Sequence, residues 1–173
     1  METTAMKKSG KCLTFRLGRE EYGVEILKVR EIVGLLDITA VPNTGDHVKG
    51  VVNLRGKIIP VIDLRRKFGL PGAAASRENC IIIVIVPRRQ SEVLIGVLVD
   101  AVNEVLWVSE EEVEPLPDMG DQPLLDFVTG LAKVKGRVVI LLDIEKVVRH
   151  QKLDGIEELE RIVEKESQRS AAK

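Results

Sequence analysis

Val48-Lys-Gly-Val-Val-Asn-Leu-Arg-Gly-Lys-Ile-Ile-Pro-Val-Ile-Asp-Leu-Arg-Arg-Lys-Phe68 holds the pattern that decides the fold. Val48–Leu54 and Ile58–Leu64 are rich in β-branched residues and are separated by Arg55-Gly56-Lys57. They read as two strands around a tight turn. Asp63 is placed to cap a short helix, Leu64–Phe68, which Gly69 and then Pro71 bring to a stop. The same stretch returns 80 residues later: Val48 falls on Val128, Gly50 on Gly130, Gly56 on Gly136 and Asp63 on Asp143. Further upstream, Tyr22–Pro42 falls on Ile95–Pro115 at an offset of 73, matching Gly23 with Gly96, Glu31 with Glu104 and Pro42 with Pro115. The seven extra residues lie in the Pro/Gly/Asp-rich loop between Pro115 and Val128. The chain therefore reads as an internal duplication, with pseudo-repeats at about residues 12–69 and 79–149.

Each repeat opens on a hairpin. Residues 12–17 alternate with a period of two, and Tyr22-Gly-Val24 is the return strand; Cys80–Val86 pairs in the same way with Val93–Val99. Ile26 to Val33 reads as a short helical turn running into another strand, and Gly69–Ser76 as a linker. Five short strands bury both faces only when the sheet curls on itself, so the expected class is all-β, two small barrels packed together. Halves of this size fold alone with difficulty, which calls for a shared interface. Residues 1–11 read as a flexible N-terminus and 151–173 as an amphipathic helix and tail.

Composition narrows the function. The 173 residues carry 26 basic and 27 acidic side chains, and only 3% are aromatic. A nucleic-acid binder needs a basic footprint or stacking platforms, so nucleic acid is not expected as a partner. The longest apolar run, Cys80–Val86, has seven residues, against about 20 for a membrane-spanning helix. Nothing near Met1 resembles a signal peptide, and Cys12 and Cys80, both in apolar strands, read as free thiols of a cytoplasmic protein.

Candidate chemistry is sparse. His47 and His150 have no metal-ligating neighbours at the usual spacing, so no metal and no cofactor are expected. Gly50–Lys57 resembles a phosphate-binding loop, but five residues separate its glycines, Ile58 follows the lysine, and a strand follows rather than a helix. Asp63 and Asp143 are explained as helix caps, and Ser109–Glu112 as a capping box. Asn53-Leu-Arg-Gly56 is different: a turn reaches solvent, so core packing does not account for its Asn and Arg. The other repeat has Lys133-Val-Lys-Gly136 there. A planar Arg fork at that turn suits recognition of a partner's carboxylate or carbonyl.

At these residues the chain resembles the CheW family of chemotaxis coupling proteins. Lys49–Leu64 is similar to the family signature, Glu21–Ile32 is typical of it, and the likeness runs from about Cys12 to Val148. The resemblance implies two SH3-like five-stranded barrels and a non-catalytic adaptor. Its partners would be the cytoplasmic tips of transmembrane chemoreceptors and the regulatory domain of the histidine kinase CheA, in arrays at the membrane. The adaptor itself would be monomeric in isolation. Carried over by motif, Val29, Glu31, Asn53, Leu54 and Arg55 would form the receptor surface, with Glu31 and Arg55 ion-paired. Ile26, Val29 and Met119 would contact the kinase. Arg65-Arg66-Lys67 lies outside the family pattern. The alternative is a small-ligand-binding or catalytic double barrel unrelated to chemotaxis.

Overall fold

The computed structural model of the chain describes residues 10–42, 45, 47–117 and 126–149. Among the described residues eleven strands form two sheets, one with the order β8-β1-β2-β11-β10-β9 and one with the order β3-β6-β7-β5-β4. The first contains β1 (Gly10–Leu17), β2 (Glu20–Glu25), β8 (Ala101–Val108), β9 (Val113–Glu114), β10 (Val128–Val134) and β11 (Arg137–Leu142). The second contains β3 (Val29–Gly34), β4 (Val48–Leu54), β5 (Lys57–Asp63), β6 (Cys80–Pro87) and β7 (Glu92–Val99). Two short helices, α1 (Leu64–Lys67) and α2 (Ile144–Arg149), follow β5 and β11. The expected C-terminal helix and tail, and Met119, lie outside the described residues.

Each sheet closes on itself. The segment leaving edge strand β3 returns to the opposite edge, where Thr39 and Val51 exchange two backbone hydrogen bonds of 2.9 Å. In the other sheet β8 leads into β9, which pairs with β10 through Leu131–Glu114 and Ala132–Val113. Glycines permit these closures. A Cβ on Gly50 would lie 2.1 Å from the Thr39 carbonyl oxygen, and one on Gly130 would lie 3.0 Å from that of Glu114. The hairpin turns also repeat: Arg55 and Gly56 have φ of 53° and 84°, Lys135 and Gly136 53° and 78°. Both central residues are left-handed, as a two-residue type I′ turn requires. Asp63 and Asp143 cap as expected, each accepting two backbone N–H groups from the first turn of its helix.

The barrels are not the two halves of the sequence. Gly23 of β2 pairs in parallel with Leu141 of β11, and Gly96 of β7 with Val61 of β5. Each opening hairpin thus packs on the closing strands of the other repeat. One barrel is the unbroken segment 29–99, which we call the inserted barrel; the outer barrel is assembled from residues 10–25 and 101–142. Gly69–Ser76, which reads as a linker, lies within the inserted barrel. The N-terminal boundary also moves, because Gly10 and Lys11 pair with Val108 and Trp107 and extend β1. Neither residue is apolar, so alternation hides them, but backbone pairing needs no side chain.

Three clusters fill the molecule. Val52, Ile59, Val61, Ile81 and Ile83 fill the inserted barrel; Cys12, Leu106, Val108, Ala132, Val134, Val139 and Leu141 fill the outer one. The largest cluster lies between the barrels, with nine of its eighteen buried residues from the inserted barrel and nine from the outer barrel and α2, including Leu13, Phe15 and Leu142 on one side and Ile62, Ile82 and Val97 on the other. The chain's three Phe and one Tyr form a ladder at this seam, Phe15–Tyr22–Phe68–Phe127, with centroids 5.8, 5.6 and 6.3 Å apart. The Lys67 ammonium sits 5.1 Å from the Phe127 centroid, and burial lowers its pKa.

The chain passes between barrels twice, and a partly buried ion pair braces each crossing. Lys28, at the first, pairs with Glu145 of α2 at 2.7 Å. Asp100, at the second, pairs with Arg65 of α1 and also accepts the Gly18 backbone N–H at 2.8 Å.

Candidate functional site: an arginine fork at a hairpin tip

Arg55 stands at the tip of the β4–β5 hairpin. Asn53 holds that tip in shape, its Oδ1 accepting the Gly56 backbone N–H at 2.9 Å. This is a local role of an Asn side chain at a turn, and Lys133 in the other repeat has no amide to supply it. From the tip the guanidinium reaches the carboxylate of Glu31 on edge strand β3. The pair spans the two edges of the inserted barrel and orients the fork. Arg55 remains 69% exposed while Glu31 is 29% exposed, so the fork keeps donors open to solvent.

The remaining residues of the carried-over set divide. Leu54 is half-buried against the inserted barrel's core, beside a cluster that includes Val52 and Ile59. Val29 and Ile26 are half-buried at the inter-barrel seam, and a bulge separates Val29 from Glu31. The structure therefore brings together Glu31, Asn53 and Arg55, with Leu54 as their footing. Val29 and Ile26 form a neighbouring surface at the root of the same strand. Exposed Ile32 and Leu35 continue β3 past the ion pair and give the site an apolar flank.

The outer barrel has a counterpart with a different chemical state. Glu104 occupies the position of Glu31, and Arg137, two residues beyond the counterpart of Arg55, reaches it at 2.9 Å. Arg137 is also bound to Glu21 at 3.0 Å, and Asn103 donates to the same Glu21 carboxylate at 3.1 Å. The Glu104 hydrogen bond and both carboxylates raise the Arg137 pKa further. One guanidinium is shared by two acids here, whereas Arg55 is shared by one. The two-residue shift of the cation hides this relationship in the alignment.

Sequence reasoning also missed the outer edge of β8, where Val105 is 48% and Trp107 60% exposed. A solvent-facing tryptophan beside a β-branched residue is a common anchor in protein interfaces. Its signal was present in the alternation of β8, whose buried face is Leu106 and Val108.

Among the described residues no group of three or more His, Cys, Asp or Glu could hold a metal ion, and no helix is long and apolar enough to cross a membrane. A cleft of about 600 Å³ lies between the Ala73–Ala75 strap and Leu35–Ile38. Its Asp63 is a helix cap, and its Arg65 and Asp100 are bound to each other. Cys12 is buried, which pushes its thiol up to about 11 with help from Glu25, and Cys80 is half-buried; both are free thiols.

The chain matches the family model for the CheW-like domain over residues 11–152. It is 40% identical to the chemotaxis protein CheW of Klebsiella aerogenes over 141 residues, covering 82% of each chain. It is 32% identical to CheW of Thermotoga maritima, covering 79% of this chain and 85% of that one. Among solved structures it superposes on the scaffolding protein TtCheW of Thermoanaerobacter tengcongensis with a TM-score of 0.72 at 35% identity, covering 85% of this chain and 95% of that one. A double barrel with a preoriented surface arginine, matched to these relatives over most of its length, belongs to the CheW family of chemotaxis adaptor proteins.

Proposed function

We propose that this adaptor joins the cytoplasmic tips of transmembrane chemoreceptors to the histidine kinase CheA, without catalysis of its own, in cytoplasmic arrays at the membrane. The observation that carries the reading is the Arg55 fork, oriented by Glu31, propped by the Asn53 turn, and still largely open to solvent. A receptor tip is a helical hairpin, and its helix packs in helix-in-groove fashion along Val29, Ile32 and Leu54, with a carboxylate or carbonyl on Arg55. The kinase's regulatory domain takes an adjoining surface that meets the receptor groove at Val29. Ile26 and Val29 at the seam and Met119 are the carried-over candidates, and the exposed Val105–Trp107 edge adds an apolar anchor on the outer barrel. Micromolar affinity, about 8 kcal/mol per interface, suffices because an array supplies avidity.

Isothermal titration with a receptor-tip fragment and, separately, with a CheA-type regulatory domain tests this. Arg55→Ala abolishes the receptor heat and leaves the kinase heat, while Trp107→Ala does the reverse. A double-mutant cycle on folding gives at most about 1 kcal/mol for the exposed Glu31–Arg55 pair. Silence with both cognate partners, from folded protein, refutes the coupling role. Retention of receptor binding by Arg55→Ala refutes the placement of the site.

A further inference from the structure

The two ion pairs at the crossings are repeat-related, yet their polarity is reversed. Arg65 and Glu145 are equivalent at the offset of 80, each in the first turn of its helix, one cationic and one anionic. Their partners, Asp100 and Lys28, sit within one residue of equivalence at the offset of 73 and are reversed to match.

This matters because a duplicated chain has two ways to close. In the arrangement present, each opening hairpin pairs with the other repeat's closing strands. In the competing arrangement each repeat closes on its own strands, with the same glycines, turns and caps available in either case. The repeat equivalence then places α1 beside Ile26–Lys28 and α2 beside Asp100. Arg65 would face Lys28, and Glu145 would face Asp100. Both attractive pairs would become like-charge encounters.

We propose that the reversed polarity of these two ion pairs is a charge code that selects the exchanged barrels over self-closed repeats. A folding chain meets this choice when the closing strands dock, before core packing can discriminate. A like-charge encounter at a partly buried position costs more than one in open solvent. One neighbouring charge works against the code: Glu25 is coupled to Asp143 and Glu145 here and would meet Arg65 in a self-closed repeat.

Refolding from urea in a Glu25→Gln background tests the proposal, since that substitution silences the opposing charge. Three full-length proteins are compared at urea concentrations giving equal equilibrium stability: the background itself, a neutral pair (Lys28→Gln with Glu145→Gln), and a reversed pair (Lys28→Glu with Glu145→Lys). The reversed pair keeps an attractive contact in the native barrels but makes self-closure attractive too. Its refolding slows about tenfold or gains a slow phase, with the neutral pair intermediate. If the reversed pair refolds as fast as the background and the neutral pair is slowest, the contacts are ordinary ion pairs and the code is refuted. Equal refolding of all three refutes it as well.

Discussion

Gly50→Ala examines the closure of the inserted barrel at its tightest point. Gly50 has φ of 151°, a backbone region that L-residues rarely adopt, and forcing one there costs about 1–3 kcal/mol. The new Cβ would also lie 2.1 Å from the Thr39 carbonyl oxygen and 2.7 Å from its carbon. These are backbone atoms, so no rotamer change relieves the overlap. The segment after β3 must withdraw from β4, breaking the pair of hydrogen bonds between Thr39 and Val51, each worth about 0.5–1.5 kcal/mol net. Together the losses come to about 2–6 kcal/mol. Gly130→Ala is the internal control: it occupies the matching bulge without a positive φ, and its nearest contacts are at 3.0 Å. It costs about 1–2 kcal/mol, the range for modest overpacking. Urea denaturation of both variants measures the difference from the midpoints at a common slope. If Gly50→Ala falls within about 0.5 kcal/mol of the parent, or Gly130→Ala proves the more damaging, the closure argument is wrong.

Three other perturbations have defined outcomes. Burial, and then the Asp143 and Glu145 carboxylates acting against Lys28, raises the Glu25 pKa above its usual value. Between the unfolded and folded pKa values the native state holds more protons than the unfolded state, so this residue's contribution to stability falls as pH rises through that window. Glu25→Gln therefore stabilises at pH 7 and loses its advantage below the unfolded pKa, about 4.3, as thermal denaturation at the two pH values will show. A disulfide reagent near pH 8 modifies half-buried Cys80 well before buried Cys12, whose pKa is about 11; peptide mapping that finds Cys12 modified first contradicts its burial. Residues 29–99 expressed alone expose the nine apolar residues they bury at the seam, forfeiting on the order of 15 kcal/mol. A loosely packed state that binds a hydrophobic dye is the result, and a well-dispersed NMR spectrum would contradict it.

The strands were legible because their signals are local. Alternation in residues 12–17, the Arg55-Gly56 turn and the Asp63 cap all depend on neighbours within a few residues. Partner choice was not legible. At the β2–β11 and β7–β5 crossings both repeats present a glycine to apolar strands, so Gly23 accepts either Val61 or Leu141 by steric criteria alone. The Asn53 and Arg55 turn stood out because polarity at a hairpin tip requires a reason other than packing. Trp107 did not, because periodicity assigns it to a solvent face without saying that the face is apolar. Arg137 was hidden by its shift, since long side chains reach the same carboxylate from positions two residues apart.

The inserted barrel is bolted to the outer one at two separate points, the crossings at Lys28 and Asp100, which lie toward opposite ends of β1. A module on a single linker swivels, and by default domains of this size move against each other. Two anchorages set apart along β1, with an apolar seam between the barrels, remove that rotation. A torque applied at Arg55 would pass through both anchorages and turn the outer barrel with it. Such a molecule transmits displacement as a bracket does, without the slack of a hinge, and a shift at the Arg55 fork arrives at Trp107 as a movement of the whole body.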